Sequence, residues 1–71
     1  MDLLVVTDRA VYVVEVKIKP RLRDVGGLLV KADVVARQYP GKRVIPVLAG
    51  ALIGRDVEEY AVRKGVKVYA Y

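Results

Sequence analysis

The stretch that most constrains this chain is residues 11–18, Val-Tyr-Val-Val-Glu-Val-Lys-Ile, an apolar run that carries one acid and one base. Val, Ile and Tyr favour β-strands. Successive side chains on a strand point to opposite faces, so Glu15 and Lys17 share one face. The other face takes Tyr12, Val14, Val16 and Ile18. The sequence therefore predicts a strand that ends in a charged pair.

A second apolar run, residues 2–6, precedes this strand, and Asp8-Arg9 between them predicts a hairpin turn. With that turn the strands pair with Asp2 opposite Glu15. Directly opposed residues share a face, with Cβ atoms about 4.5–5.5 Å apart. Two carboxylates this close repel each other, so a cation, a proton or the neighbouring lysine must compensate. A turn of odd length would place Asp2 on the other face and remove the cluster.

An Asp that opens one strand, with Glu-Val-Lys at the end of the next, resembles the PD-(D/E)XK phosphodiesterase superfamily, which includes restriction endonucleases and compact archaeal members. The resemblance covers the chain from Asp2 to the last strand. It implies that Asp2 and Glu15 bind Mg²⁺ or Mn²⁺, that the Val16 carbonyl is a further ligand, and that Lys17 acts on the attacking water. The implied function is metal-dependent nuclease activity. Met1 departs from the family pattern by replacing its Pro, and we expect the family's N-terminal helix and first strand to be missing.

A basic segment follows this strand, with Lys19, Arg21 and Arg23 at alternate positions around Pro20. Basic side chains beside an acidic cluster suit contacts with DNA phosphates. The net charge of +5 also favours polyanionic partners. We predict these three residues as nucleic-acid contacts, with an ordinary solvated linker as the alternative.

The rest of the sequence alternates helical and strand patterns. A helix from about residue 21 or 24 to 39 is predicted by apolar residues at three- and four-residue intervals, namely Leu22, Val25, Leu29, Ala32, Ala36 and Tyr39. Residues 43–49 predict a strand at a sheet edge or with a bulge, because Pro46 lacks a ladder donor. Residues 55–64 predict a helix that Gly65 ends, and residues 66–71 a last strand. The order β-β-α-β-α-β predicts a single α/β domain over residues 1–71 with a mixed sheet. The resemblance to the PD-(D/E)XK superfamily implies that this domain is a minimal restriction endonuclease-like core.

Composition removes several classes of site. Without Cys or His, the chain has no disulfides, zinc-thiolate sites or histidine catalysis. No apolar run approaches the roughly 20 residues that span a bilayer, and no signal peptide is visible, so we expect a cytoplasmic protein without a membrane partner. The absence of Asn and the many charged residues suit a thermophile.

Apolar residues make up 55% of this short chain, more than two small layers can readily hide. The first two strands are apolar on both faces, which predicts cover on both sides of the sheet. Val30 and Val34 lie off the helical stripe, and Gly26-Gly27 would permit a close contact with the sheet or a partner. We therefore predict a homodimer. The alternative to a nuclease is a catalytically inactive dimerisation or interaction module with a degenerate or truncated nuclease fold.

Overall fold

Two helices pack against a four-stranded mixed sheet in the computed structural model, which describes residues 2–71, with side chains from residue 3 onward. The elements are β1 (Asp2–Val6), β2 (Ala10–Lys17), α1 (Leu22–Gln38), β3 (Arg43–Gly50), α2 (Arg55–Arg63) and β4 (Lys67–Ala70). The strands lie in the order β1-β2-β3-β4, with β1 antiparallel to β2 and the other pairs parallel. The predicted class and element order are confirmed.

The hairpin between β1 and β2 has the predicted register. The Thr7 N–H donates to the Ala10 carbonyl at 2.8 Å, and the Ala10 N–H donates to the Thr7 hydroxyl at 3.0 Å. These two bonds leave two residues at the tip of the turn. The even loop length pairs Asp2 with Glu15 and Leu4 with Val13.

Both helices cover one face of the sheet, termed the helix face. Its core contains Val13 of β2, Leu48 of β3 and buried residues of both helices. The helical contributions are Val25 and Leu28 from α1 and Val57 and Ala61 from α2. Because β2 alternates, Glu15 lies on this same face, two residues beyond Val13.

The buried stripe of α1 is rotated relative to the predicted one. Its buried residues are Val25, Leu28 and Ala32, with Leu29 and Val35 partly buried. Leu22 is 47% exposed and Ala36 is also exposed, so their predicted burial is wrong. Leu28 and Leu29 are adjacent, and apolar residues three or four positions away could form a buried stripe with either of them. Packing of α1 against the sheet therefore decides which of the two is fully buried.

Pro46 lies in an interior strand, and the predicted edge position of β3 is therefore wrong. Pro46 pairs with Val13 of β2 on one side. On the other side, β3 pairs with β4 only from Val47 onward. Although β3 is an interior strand, Pro46 has a neighbouring strand on one side only. A residue that lacks a backbone N–H is tolerated at such a position, because no strand on the open side needs its hydrogen bond.

The second face of the sheet, termed the open face, has the apolar residues Leu3, Val5, Tyr12, Val14, Val16, Ile45, Val47, Ala49 and Tyr69, with the basic residues Arg43 and Lys67 where β3 and β4 begin. Neither described helix covers it, so the predicted cover on both sides is wrong for this chain by itself. Leu3 is 54% exposed, and Val5 and Tyr69 are also exposed. Separately, neither helix in the described part of the chain combines the length and apolar character needed to cross a bilayer.

The predicted contact of Gly26 and Gly27 with the sheet is also wrong. A Cβ atom built on either residue would meet no other atom within 4 Å. A contact with a partner stays a prediction. We expect Gly26→Ala and Gly27→Ala each to stabilise the protein by about 0.5–1 kcal/mol, because Ala loses less backbone entropy than Gly inside a helix.

Urea unfolding of the two variants measures this gain as a higher midpoint. The control is Gly65→Ala, which places a side chain at a φ of +82° and should destabilise the protein. A lower midpoint for both helical variants would contradict the description of this surface as open.

Candidate active site at the carboxyl end of strand β2

Glu15 is buried at 6% exposure, although a carboxylate is costly to bury without partners. Its Oε1 accepts a hydrogen bond from Lys31 Nζ of α1 at 2.8 Å. Its Oε2 lies 3.9 Å from Lys17 Nζ. Each carboxylate oxygen therefore faces an ammonium group. Both lysine side chains remain accessible, at 46% exposure for Lys31 and 43% for Lys17.

The structure confirms the predicted position of one of the three other residues of the predicted site, Lys17, and leaves the roles of Asp2 and Val16 as predictions. Lys17 lies beside Glu15 on the helix face, as predicted. The backbone of Asp2 is paired with Glu15, whereas its side chain lies outside the described residues. Convergence of the two carboxylates therefore stays a prediction. Val16 points its partly buried side chain to the open face, and its carbonyl as a ligand stays a prediction.

Lys31 is the site residue that the sequence interpretation missed. Successive residues on an α-helix are about 100° apart. Around a stripe centred on Leu29, Lys31 lies about 200° away and faces solvent. Around the observed stripe through Leu28, it lies about 60° from the centre and flanks the sheet. The correct stripe would have brought Lys31 to the site.

Lys31 also lines a groove between α1 and β1 with a volume of 360 Å³. The apolar residues lining it include Leu3, Leu4, Val30 and Val34. Val30 is 64% exposed, which confirms that it lies off the buried stripe. The groove places an open, mostly apolar channel next to the charged site.

Gly50 fixes the end of β2 and was not singled out from the sequence. It pairs with Lys17. A Cβ atom on Gly50 would lie 2.9 Å from Ile53 Cγ1 and 3.0 Å from both the Lys17 carbonyl oxygen and Pro20 Cδ. The next carbonyl, that of Ile18, accepts hydrogen bonds from the two residues after Gly50 at 3.1 and 2.8 Å. The close approach of β2 and β3 at Gly50 therefore fixes the position of the Lys17 backbone, from which the Lys17 side chain extends toward Glu15.

The basic segment after β2 borders a separate surface depression of 500 Å³. Lys19, Arg21 and Arg23 line it together with residues at the start of α2, among them Asp56. The Arg21 N–H donates to Asp24 Oδ2 at 2.7 Å, which caps α1 and leaves the Arg21 side chain exposed. Both helices begin at this depression, and helix N-termini carry partial positive charge. The three predicted basic residues therefore share one surface.

The described side chains at this site are one carboxylate, that of Glu15, and two ammonium groups, those of Lys31 and Lys17. Mg²⁺ is commonly bound by one or two carboxylates and several waters. Glu15 supplies one such carboxylate, and Asp2 is paired opposite it. Among the side chains described, no three from His, Cys, Asp and Glu come together. Among the described side chains, Glu15 supplies the carboxylate that a metal bound here would contact.

Comparisons of the chain with protein-family models, curated proteins and solved structures returned no match.

Proposed function

We propose that this protein is a metal-dependent nuclease of the PD-(D/E)XK type that hydrolyses phosphodiester bonds of nucleic acid. The observation that carries the proposal is the strand register, which pairs Asp2 with Glu15 and leaves Lys17 beside Glu15 on the same face. Glu15 is buried, and the positive groups that compensate its charge are the ammonium groups of Lys31 and Lys17.

The proposed chemistry divides between a cation and the protein. Mg²⁺ or Mn²⁺, when bound, would polarise the scissile phosphate and help ionise a water. Asp2 and Glu15 would hold the cation at the end of β2. The attacking water would lose its proton to solvent, its oxygen would bond to phosphorus, and the bond to the leaving oxygen would break, so that negative charge grows on the phosphate oxygens. Lys17, whose side chain is 43% exposed, would donate a hydrogen bond from its ammonium group to that charge.

The test of this proposal is cleavage of labelled single- and double-stranded DNA and RNA by the wild-type chain with Mn²⁺. We expect at least one substrate to be cut, and EDTA to stop the reaction. If none is cut over a range of pH and Mn²⁺ concentration, the nuclease proposal is wrong.

The basic depression is the proposed contact with the nucleic-acid backbone. If Lys19, Arg21 and Arg23 each neutralise one phosphate, the logarithm of duplex affinity should fall with the logarithm of salt concentration, with a slope of roughly −2.7. Replacing all three with Gln should flatten this slope to near zero. Fluorescence anisotropy over 20–300 mM salt, about the range in which such contacts are screened, measures it.

A matched control removes three positive charges elsewhere. Arg9, Arg37 and Lys67 are exposed and lie outside the residues that line the depression. Their replacement with Gln lowers the net charge equally. If both triple variants lose the same amount of affinity, the contact is a general charge effect and the assignment to the depression is wrong.

A second candidate function is dimerisation, and the open face is the observation that favours it. A folded monomer of 7.9 kDa exposes about 4,400 Å², whereas this chain exposes 4958 Å². The middle of the open face is apolar, and its basic residues, Arg43 and Lys67, stand at the start of β3 and of β4. A second copy of the chain would present the same apolar surface, as a two-fold interface requires. We propose a homodimer in which the two open faces pack together.

Light scattering tests this dimer, which should persist at micromolar concentrations. Val14→Lys at the middle of the open face should shift the equilibrium to monomer by at least about 100-fold, because a buried unpaired charge costs several kcal/mol. Val62→Lys on exposed α2 is the control and should leave the mass unchanged. A monomeric wild type, or equal masses for both variants, would contradict the proposed interface.

A further inference from the structure

The two lysines at Glu15 are not equivalent. Lys31 Nζ lies 2.8 Å from Oε1, within hydrogen-bonding distance. Lys17 Nζ lies 3.9 Å from Oε2, too far for a direct hydrogen bond. Lys31 is therefore the group that directly occupies the Glu15 carboxylate, and Lys17 contributes its charge from further away.

The hydrogen bond from Lys31 to Glu15 conflicts with metal binding at the same carboxylate. A divalent cation needs a carboxylate oxygen in direct contact. An ammonium hydrogen-bonded to that carboxylate would then lie within a few ångströms of the cation, where like charges repel strongly in a partly buried site. A cation that binds Glu15 must therefore displace the Lys31 ammonium or weaken its hydrogen bond.

The position of Lys31 makes displacement feasible without movement of the backbone. Its side chain is 46% exposed, so the ammonium can reach water. The lysine stem has four flexible carbons. The stem also borders the groove between α1 and β1, which gives it open space next to the site. Glu15 is buried in β2, so its carboxylate stays in place when the Lys31 ammonium moves into solvent.

We propose that Lys31 is an internal cation that competes with the divalent metal for Glu15. This inference rests on the proposed function, because it assumes that the metal binds Glu15. In the metal-free protein, Lys31 satisfies the buried carboxylate and keeps the site folded. Metal binding releases the Lys31 ammonium, which then adds a positive charge beside the site where a phosphate would lie. Lys31 thus lowers metal affinity and is a positioning residue for Glu15.

Calorimetric titration with Mn²⁺ alone tests the competition without any activity assay. The variants are Lys31→Met, which keeps the apolar stem, and Lys31→Arg, which keeps the charge. Removing a competing ion pair of ordinary strength should tighten Mn²⁺ binding by about fivefold in Lys31→Met. Lys31→Arg should bind Mn²⁺ like the wild type. Arg37→Met, on the same helix, removes one charge from an exposed position as a control and should have little effect.

Thermal unfolding supplies a second measurement if Lys31→Met is poorly stable. Without Mn²⁺, this variant should unfold at a lower temperature than the wild type, because Glu15 has lost its direct partner. Saturating Mn²⁺ should raise the unfolding temperature of Lys31→Met by more than that of the wild type. Lys31→Gln, which can still donate a hydrogen bond, should fall between them.

The possible outcomes separate the two proposals. Tighter Mn²⁺ binding in Lys31→Met alone supports the competition. Equal or weaker binding in Lys31→Met, with clear binding to the wild type, overturns the competition and leaves the metal site standing. If neither protein binds Mn²⁺, the metal site fails, and the competition fails with it.

Discussion

Lys17→Ala should reduce nuclease activity by at least about 100-fold, the cost of removing one hydrogen-bond donor to a developing oxyanion. The Lys17 ammonium lies on the helix face beside Glu15 and is too far from Oε2 to be its main partner. Its removal therefore leaves the hydrogen bond from Lys31 to Glu15 in place. The effect should appear in the rate of cleavage at saturating substrate, with Mn²⁺ binding close to that of the wild type.

The control for this prediction is Lys67→Ala, which removes an exposed lysine from β4, two strands away from β2 and on the open face rather than the helix face. It should keep at least about half of the wild-type rate, because a distant exposed charge is largely screened. If Lys17→Ala cleaves nucleic acid at the wild-type rate, Lys17 has no part in the chemistry. If it loses Mn²⁺ binding as well, its role lies in building the metal site.

Glu15→Gln should abolish saturable Mn²⁺ binding and nuclease activity together. The substitution is nearly isosteric and leaves an oxygen that can still accept the hydrogen bond from Lys31. The ammonium groups of Lys31 and Lys17 are both accessible to water, so neither becomes a buried unpaired charge. We therefore expect a loss of only about 1 kcal/mol in folding stability, the size of one weakened charge-assisted hydrogen bond at a partly exposed site.

Calorimetry with Mn²⁺ and urea unfolding measure the two effects separately. Glu59→Gln on the exposed surface of α2 is the matched control and should change neither. A Glu15→Gln protein that binds Mn²⁺ normally would show that the carboxylate has only a structural role as the partner of Lys31. A protein that fails to fold would show that the ion pair stabilises the core more strongly than its accessible lysines indicate.

The sequence predicted the features that depend on local spacing. The hairpin register follows from a two-residue turn and from alternation along a strand, so the pairing of Asp2 with Glu15 could be derived before the fold was known. The end of α2 at Gly65 follows from the same kind of local rule. Gly65 has a φ of +82°, and the Val66 N–H donates to the Ala61 carbonyl at 2.9 Å, as in a Schellman motif.

Features that depend on contacts between distant elements could not be derived in this way. The rotation of α1 about its axis was decided by packing of Leu28 rather than Leu29 against the sheet. That rotation brings Lys31 to Glu15. The need for Gly50 likewise depends on distant contacts, because Pro20 and Ile53 leave no space for a Cβ atom at that position. The interior position of Pro46 depended on how late β4 begins to pair with β3.

Diffraction from crystals soaked in Mn²⁺ can show whether Asp2 and Glu15 form a divalent-metal site, as we propose. We expect an anomalous peak about 2.1 Å from a Glu15 carboxylate oxygen, with the Asp2 carboxylate as a second ligand. We also expect the distance from Lys31 Nζ to Glu15 Oε1 in that crystal to be longer than 2.8 Å. A map with no peak at Glu15 under abundant Mn²⁺, with the hydrogen bond from Lys31 unchanged, would contradict the metal site and leave dimerisation as the function of this fold.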